Sequence, residues 1–159
     1  MNPELTGRLA NLVRERSTAA LGTLHAAAPY VSMTPYAIAN DGSGFIIHVS
    51  ALATHTTDIL ADARVSLLIA EAEGGGKSPL GLARVSVQAM AQQIDFADAR
   101  ASAHRAAYLA RFPDAEPMFG FSDFSLFLIR PASARFVAWF GQAHSLTAET
   151  LARILQLQR

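Results

Sequence analysis

HVSALATHTTDILADARVSLLIAE, residues 48–71, is the stretch of the sequence that decides the fold. It completes one apolar strand, predicted over Phe45–Ser50, and continues through a short helix over Ala53–Asp62. A second compact apolar strand follows over Arg64–Glu71. Strands of this kind, bounded by turn signals and a helix start, favour a fold that is built round a β-sheet.

The polar residues of this stretch, from Ser50 to Thr57, fall where the first strand ends and the helix begins. Hydroxyls and an imidazole there stand beside the unpaired N–H groups of a helix N-terminus, an arrangement that suits a phosphate. The alternative is that Ser50 or Thr54 simply caps the helix, as such residues commonly do. The residues alone support the two interpretations equally.

Alternating and helical patterns outside this stretch predict the remaining elements. The turn signal at 40–44 joins the second and third strands into a hairpin. Because the strands come in hairpins, we predict an α+β fold, a mostly antiparallel β-barrel with peripheral helices, as a single domain over residues 1–159. The other predicted strands cover Thr18–His25, Pro29–Ala39, Leu82–Ile94, Asp123–Pro131 and Arg135–Phe140, and the other helices run from an Asn2 cap to Arg16, over Asp95–Arg111, and from a Thr147 cap to Leu157.

The composition excludes several classes of protein. Of 159 residues, 51% are hydrophobic and 16% are charged, with a formal net charge of zero. An electrostatic surface for nucleic acid or anionic lipid is therefore not expected. The absence of cysteine removes thiolate chemistry, and the five histidines lack the spacing of a metal site. No apolar run approaches the roughly 20 residues that span a bilayer, so we expect a cytoplasmic protein.

The scarcity of charge also bears on assembly. Lys77 is the single lysine, and alanine is abundant. We expect a large apolar interface between copies of the chain, hence a homodimer; the alternative is an ordinary alanine-rich monomer surface. The chain is also poor in catalytic side chains, which suits a protein whose chemistry belongs to a bound organic cofactor.

The order and spacing of six segments carry a resemblance to a known family. The sequence resembles the pyridoxamine 5′-phosphate oxidase-like FMN-binding split-barrel superfamily, and within it the haem-utilisation branch. The resemblance implies a split barrel of the FMN-binding type and a homodimer with FMN at the subunit interface. The segments are LGTL (21–24), PYVSMTPY (29–36), residues 48–71 as quoted, ARVSV (83–87), DFSLFLIRP (123–131) and VAWFGQAHSL (137–146).

The resemblance also implies a set of cofactor-binding residues. Thr54 and His55 fall on the basic pair that grips the FMN phosphate in the oxidases. Arg84 falls on a flavin-contacting glutamine and could supply the missing charge, unless it is a plain surface arginine. Trp139 falls on an aromatic near the flavin, unless it is a core or interface anchor. The remaining implied contacts are Ser50 and Thr56 in the cradle, Thr18 and Thr23 on the first strand, and His48 and Val49, of which the His48 side chain is better explained as a core histidine.

Departures from the family limit the activity that the resemblance implies. Oxidases that make pyridoxal phosphate hold substrate with an Arg-x-His arrangement, and this chain has Ser145-Leu146-Thr147 there. The chain also ends at Arg159, without the additional C-terminal domain of longer haem-degrading relatives. The main hypothesis is an FMN-dependent oxidoreductase acting on a small-molecule substrate, with no catalytic side chain identified. The alternatives are a non-catalytic module that binds flavin or haem, and a vitamin B6 oxidase with an unconventional substrate grip.

Overall fold

The computed structural model describes residues 1–157, which form four α-helices and eight β-strands. Two 3-10 turns, at Pro79–Gly81 and Pro113–Gly120, lie in the connections. The helices are α1 (Pro3–Glu15), α2 (Thr54–Ala61), α3 (Ala101–Arg111) and α4 (Ala148–Gln156). The strands are β1 (Thr18–His25), β2 (Ala28–Pro35), β3 (Ala37–Ile38), β4 (Phe45–Ser50), β5 (Arg64–Ala70), β6 (Arg84–Gln93), β7 (Phe124–Trp139) and β8 (Gln142–Thr147).

All eight strands belong to one antiparallel sheet that curls on itself. Its order is β2-β1-β5-β6-β7-β4-β3, with β8 added on β7. Along β6 and β7 the register shifts, since Gln88 pairs with Ser133 but Ala89 pairs with Pro131. This bulge adds one residue to β7 and sharpens its bend, as bulges do in barrels. The predicted antiparallel barrel with peripheral helices is confirmed.

The first helix forms as its sequence predicts. The Asn2 side chain accepts a hydrogen bond from the Leu5 N–H at 2.9 Å, and Pro3 occupies the first helical position. Leu9, Leu12 and Val13 then lie on one face and are buried against the sheet. The spacing of three and four residues therefore both forms α1 and attaches it to the core.

Two hydrophobic clusters fill the interior. The larger lies between the concave face of the sheet and the helices α1, α2 and α4, and it includes Leu9, Phe45, Phe136 and Leu151. The smaller lies on the other side of β3, β4 and β7, where Tyr108 of α3 covers it. Within residues 1–157, no helix is both long and apolar enough to cross a membrane.

Four of the predicted elements, three strands and one helix, differ in the structure. The two strands predicted over Asp123–Pro131 and Arg135–Phe140 are one strand of 16 residues, because the bulge accommodates Pro131. The predicted strand Pro29–Ala39 is split at Tyr36, so only β3 forms the hairpin with β4, while β2 pairs with β1. β8 was not predicted at all.

The helix predicted from Asp95 begins only at Ala101. The Asp95 side chain accepts a hydrogen bond from the Ala97 N–H, and the Asp98 side chain accepts one from the Arg100 N–H, at 2.9 and 2.8 Å. Each carboxylate therefore stabilises a local turn in place of the first helical turns.

Gly44 offers a direct test of the turn that leads into β4. Its φ is +155°, and a Cβ built on it would lie 2.1 Å from the Ile129 carbonyl oxygen. We expect Gly44→Ala to lower the free energy of unfolding by about 1–3 kcal/mol, the range for a strained backbone. The control is Gly7→Ala in α1, where nothing lies within 4 Å, and which should stabilise by up to about 1 kcal/mol. Urea unfolding of both variants measures the difference, and equal stabilities would contradict this account.

Candidate functional site

The start of α2 is where the sequence predicts a phosphate cradle. Ala53 is the N-cap residue and makes no side-chain bond to the helix, and Thr54 is already the first helical residue. The alternative that Ser50 or Thr54 caps the helix is therefore wrong. As at any helix start, the first N–H groups have no acceptor within the helix.

Two of the hydroxyls predicted for the cradle are engaged inside the protein. Thr56 is buried, and its Oγ1 donates to the Ser50 carbonyl oxygen at 2.7 Å. The Ser50 Oγ donates to the Asp123 carboxylate at 3.0 Å and accepts from the Leu52 N–H at 3.1 Å. Only Thr54 remains exposed among these hydroxyls, and the Asp123 carboxylate brings negative charge close to where a phosphate would lie.

The most organised polar group lies on the other side of α2, at the end of β1. Asp58 is only 3% exposed. Its Oδ2 accepts a hydrogen bond from the Thr23 hydroxyl at 2.8 Å, and its Oδ1 lies 2.7 Å from the Nδ1 of His25. Thr23, Asp58 and His25 thus form one hydrogen-bonded chain that runs from the protein interior to the surface.

The electrostatics of this group keep Asp58 ionised. Burial, the largest single influence, raises the pKa of its carboxyl, whereas the hydrogen bonds from His25 and Thr23 lower it. The nearby imidazoles of His25 and His55 act in the same direction, and the pKa of Asp58 lies below its ordinary value of 3.8. A buried carboxylate is therefore present at neutral pH.

His55 lies on the same helix and contacts β2. Its Nδ1 is 2.9 Å from the Ser32 hydroxyl. Burial lowers the pKa of His55 below 6.5, and the charge of Asp58 only partly offsets this. The imidazole is neutral at pH 7, so it gives the predicted phosphate cradle no fixed positive charge.

His48 and Val49 point into the two hydrophobic clusters. The His48 ring stacks on Phe119 with centroids 3.9 Å apart, and it also touches the rings of Tyr108 and Phe124. Burial lowers the pKa of His48. Val49 belongs to the larger cluster. The description of His48 as a core histidine agrees with this packing, and only the backbone of the two residues remains available to a ligand.

The other predicted residues lie at the opposite end of the sheet. Arg84 pairs with Ala70 and Val137, and its Nη1 donates to the Leu82 carbonyl oxygen at 3.0 Å. Thr18 lies at this same end of β1, five residues from Thr23, which is roughly 16 Å at about 3.3 Å per strand residue. Arg84 is therefore not brought to α2 within one chain, and its role stays a prediction.

Trp139 also lies at this far end. Its ring packs on Gly81, where an added Cβ would come within 2.5 Å of it, and the side chain remains 51% exposed. The predicted site residues thus form two groups, one beside α2 and one beside Trp139. A single chain does not join them.

Between these two groups runs the outer face of the sheet, which none of the four helices within residues 1–157 covers. Outward-facing side chains there include exposed Val31, Met33, Leu68 and Met90. A groove of about 460 Å³ crosses this face and is lined by residues of β1, β2, β5, β6 and β7, among them Gly22, Tyr30 and Ser66. Exposed apolar side chains in this number on one face are typical of an interaction surface.

Sequence reasoning missed Asp58, His25 and Ser32. A signal for Asp58 was present, since it stands three residues after His55 on the predicted helix and so lies on the same face. His25 and Ser32 carry no comparable signal, because their partners are 33 and 23 residues away in the chain.

This architecture defines a class of protein: a curled antiparallel half-barrel with helices at its ends is a split barrel. The particular family follows from the sequence. A profile of the family described as pyridoxamine 5′-phosphate oxidase matches residues 5–148. The chain belongs to this family, and the fold expected from the resemblance is confirmed.

Individual relatives lie in the haem-utilisation branch. The heme oxygenase HutZ of Vibrio cholerae serotype O1 is 27% identical over 164 residues, which cover 97% of this chain and 90% of that protein. The chloroplastic non-canonical heme oxygenase HOZ of Arabidopsis thaliana is 39% identical over 110 residues, 69% of this chain. A heme binding protein from Mycobacterium smegmatis superposes with a TM-score of 0.85 at 26% identity, over 96% of this chain. The expected resemblance to this branch is confirmed.

The chain is shorter than two of these relatives. It covers 32% of the length of the chloroplast protein and 62% of the mycobacterial chain.

The buried carboxylate gives a test by acid unfolding. Because the pKa of Asp58 is lower in the folded state, its ionised form adds stability above about pH 3.8, and this stability is lost as pH falls below that value. Asp58→Asn should lower the urea midpoint at pH 7 and flatten the acid dependence below pH 4. The control is the exposed Asp114→Asn. An unchanged acid limb in Asp58→Asn would contradict the assignment.

Proposed function

We propose that the protein binds haem and acts as a homodimer, with the ligand held in the cleft between two copies of the outer sheet face. The observation that carries the proposal is that apolar face and its groove of about 460 Å³. Haem is a large, mostly apolar plane and requires an apolar surface of this kind. Relatives named as heme oxygenases and as a heme binding protein support the choice of ligand.

The residues present fit haem better than they fit a flavin phosphate. A phosphate at the start of α2 would meet the carboxylate of Asp123, and His55 there is neutral. The outer face, in contrast, offers Val31, Met33 and Met90 to the apolar porphyrin plane, and Arg64 also lines its groove.

The arrangement of the two groups of predicted residues supports the homodimer. A two-fold axis running across the strands reverses the strand direction of the second copy. The Arg84 and Trp139 end of one chain then lies over the α2 end of the other. The same packing removes the apolar outer face from water.

An FMN-dependent oxidoreductase acting on a small-molecule substrate is the second candidate. It is favoured by the start of α2, which no side chain caps and where a helix attracts anions, and by the exposed Thr54. In that case the charge for the phosphate has to come from Arg84 of the second copy. For either candidate we propose a cytoplasmic location, in keeping with the cysteine-free sequence.

Titrations with three ligands separate the two candidates. We expect haemin to bind one equivalent per chain with a shifted Soret band, because the apolar cleft accepts the porphyrin. FMN should bind no more tightly than riboflavin, because the phosphate meets carboxylates and no fixed cation. FMN at least tenfold tighter than riboflavin, with that preference lost in Arg84→Ala, would instead support the flavoprotein.

Met33 tests the homodimer. It is 64% exposed on the outer face, and Met33→Glu places a charge in the proposed interface of both copies. If each copy loses the free energy of burying its Met33 side chain, about 1.5–3 kcal/mol, the dimer dissociation constant rises at least about a hundredfold.

Phe96→Glu is the matched control, since Phe96 is 59% exposed but lies in the loop before α3. Sedimentation at micromolar concentration should give twice 17.0 kDa for the wild type and the control, and a shift toward one chain for Met33→Glu. If the wild type sediments as a single chain, the proposed homodimer is contradicted.

A further inference from the structure

A small polar cavity lies at the start of α3, away from every site residue predicted from the sequence. Its volume is about 90 Å³, and it is enclosed between this helix and the strands β6 and β7. None of its lining residues lines the groove of the outer face. Its polar lining includes Gln92, Asp98, Arg100, His104 and Arg130.

His104 is a buried polar residue in this lining that lacks a partner. Only 6% of the residue is exposed. Its backbone N–H donates to the Arg100 carbonyl oxygen, but its ring makes no hydrogen bond within the described part of the chain, residues 1–157. Buried polar groups in folded proteins are nearly always hydrogen-bonded. Because the ring lines the cavity, its missing partner has to come from a molecule inside the cavity.

Arg130 faces the same cavity from β7. The residue is partly buried, and its Nε donates to the Gln92 side-chain oxygen at 2.8 Å. Among residues 1–157 it has no carboxylate within ion-pair distance. A guanidinium that is partly removed from water and has no counter-ion gains from an anion placed beside it, since a charge-assisted hydrogen bond is stronger than a neutral one.

The helix itself acts in the same direction. Arg100 precedes α3, and His104 lies one turn later on the same face. No side chain caps this helix of 11 residues. Its first N–H groups carry partial positive charge, and only that of Ala101 is taken, by the Asp98 carbonyl oxygen at 3.0 Å. The start of α3 therefore attracts an anion toward the two buried donors.

Carboxylates also lie near the cavity, but they are more exposed than these donors. Asp95 and Asp98 line its mouth, and Asp41 interacts electrostatically with His104. All three residues are exposed, and each side chain accepts a backbone N–H in its own turn. Water screens exposed charges more strongly than charges in the interior. His104 and Arg130 therefore determine what the inner part of the cavity accepts.

From these contacts we infer that the cavity is a binding site for a small oxyanion, a phosphate or carboxylate group held between His104 and Arg130. Its volume admits one such group and excludes a whole nucleotide or porphyrin. Two sources have this chemistry. One is a free anion such as inorganic phosphate, and the other is a carboxylate of the haem proposed for the groove.

The register of the sheet brings the second source close. Met90 lines the groove, and Arg130 is its partner across the ladder of β6 and β7. The carboxylates of haem lie at one edge of the porphyrin, so an edge directed toward Met90 points at Arg130. This source alone rests on the proposed function, and the anion site does not.

The test is a titration of the full chain with inorganic phosphate at neutral pH, followed by NMR of the histidine ring nitrogens. A constant excess of sodium chloride removes general ionic effects. We expect phosphate to shift the His104 ring signals saturably and to leave the other histidines unchanged. His104 signals that do not move, or that move together with those of all the other histidines, would overturn the inference.

Arg130→Gln removes the cation and keeps a hydrogen-bonding side chain. Its phosphate affinity should fall roughly tenfold to a hundredfold, the range for one charge-assisted hydrogen bond. The matched control is Arg153→Gln on α4, where the arginine is exposed and donates to the Thr150 hydroxyl; it should bind phosphate as the wild type does. Circular dichroism checks that both variants are folded. Equal phosphate affinity in Arg130→Gln and the wild type would show that the assignment is wrong.

Haemin and its dimethyl ester, which lacks the free carboxylates, distinguish the two sources. If haem supplies the anion, phosphate competes with haemin, and Arg130→Gln loses the preference of the wild type for haemin over the ester. If the anion is free, Arg130→Gln weakens phosphate binding alone. A wild type that binds phosphate at His104 but no haemin contradicts the proposed function and supports this inference. A wild type that binds haemin but shows no phosphate effect at His104, with no change in Arg130→Gln, overturns the inference and leaves the proposed function standing.

Discussion

The two outermost strands of the sheet are consecutive in the sequence, and this covalent constraint sets the shape of the molecule. β2 ends at Pro35 and β3 begins at Ala37, so Tyr36 alone joins the two ends of the strand order. The sheet must therefore curl until its edges meet. Within residues 1–157, β2 pairs only with β1 and β3 only with β4. The barrel is closed at this seam by the chain and not by a ladder, and Pro35 has no N–H to donate there.

The seam is held by contacts that Tyr36 makes through both its backbone and its side chain. Its N–H donates to the Ser17 carbonyl oxygen at 3.1 Å, and its hydroxyl donates to the Val13 carbonyl oxygen at 2.8 Å. Burial raises the pKa of this phenol well above its ordinary value. Arg111, from the last turn of α3, stacks over the ring and donates to the carbonyl oxygen of Arg14 at 2.9 Å. One arginine therefore connects α3 and the end of α1 at the point where the barrel closes.

The sequence was sufficient for features that depend on neighbouring residues and insufficient for those that depend on distant ones. Asn2 and Pro3 are local signals, and α1 begins where they predict. The interruption at Pro131 was also interpreted locally, as a strand end, but pairing with β6 carries β7 through it. Asp58 lay in the stretch that decides the fold, yet its importance depends on Thr23, which is 35 residues away. The burial of a polar side chain is set by such tertiary partners, and local patterns do not contain them.

Carboxylates near α2 affect both the anion site at the start of this helix and the orientation of the His25 imidazole. A helix start attracts anions because its N–H groups carry partial positive charge, but at α2 the protein supplies its own anions, Asp58 within the helix and Asp123 beside Ser50. These carboxylates partly cancel the positive electrostatic potential that would hold a phosphate at the start of α2. The desolvation that makes a buried carboxylate costly is offset by the donors that it collects, and one of these donors is His25. A single buried charge thus weakens the anion site at α2 and orients an imidazole at the hairpin tip.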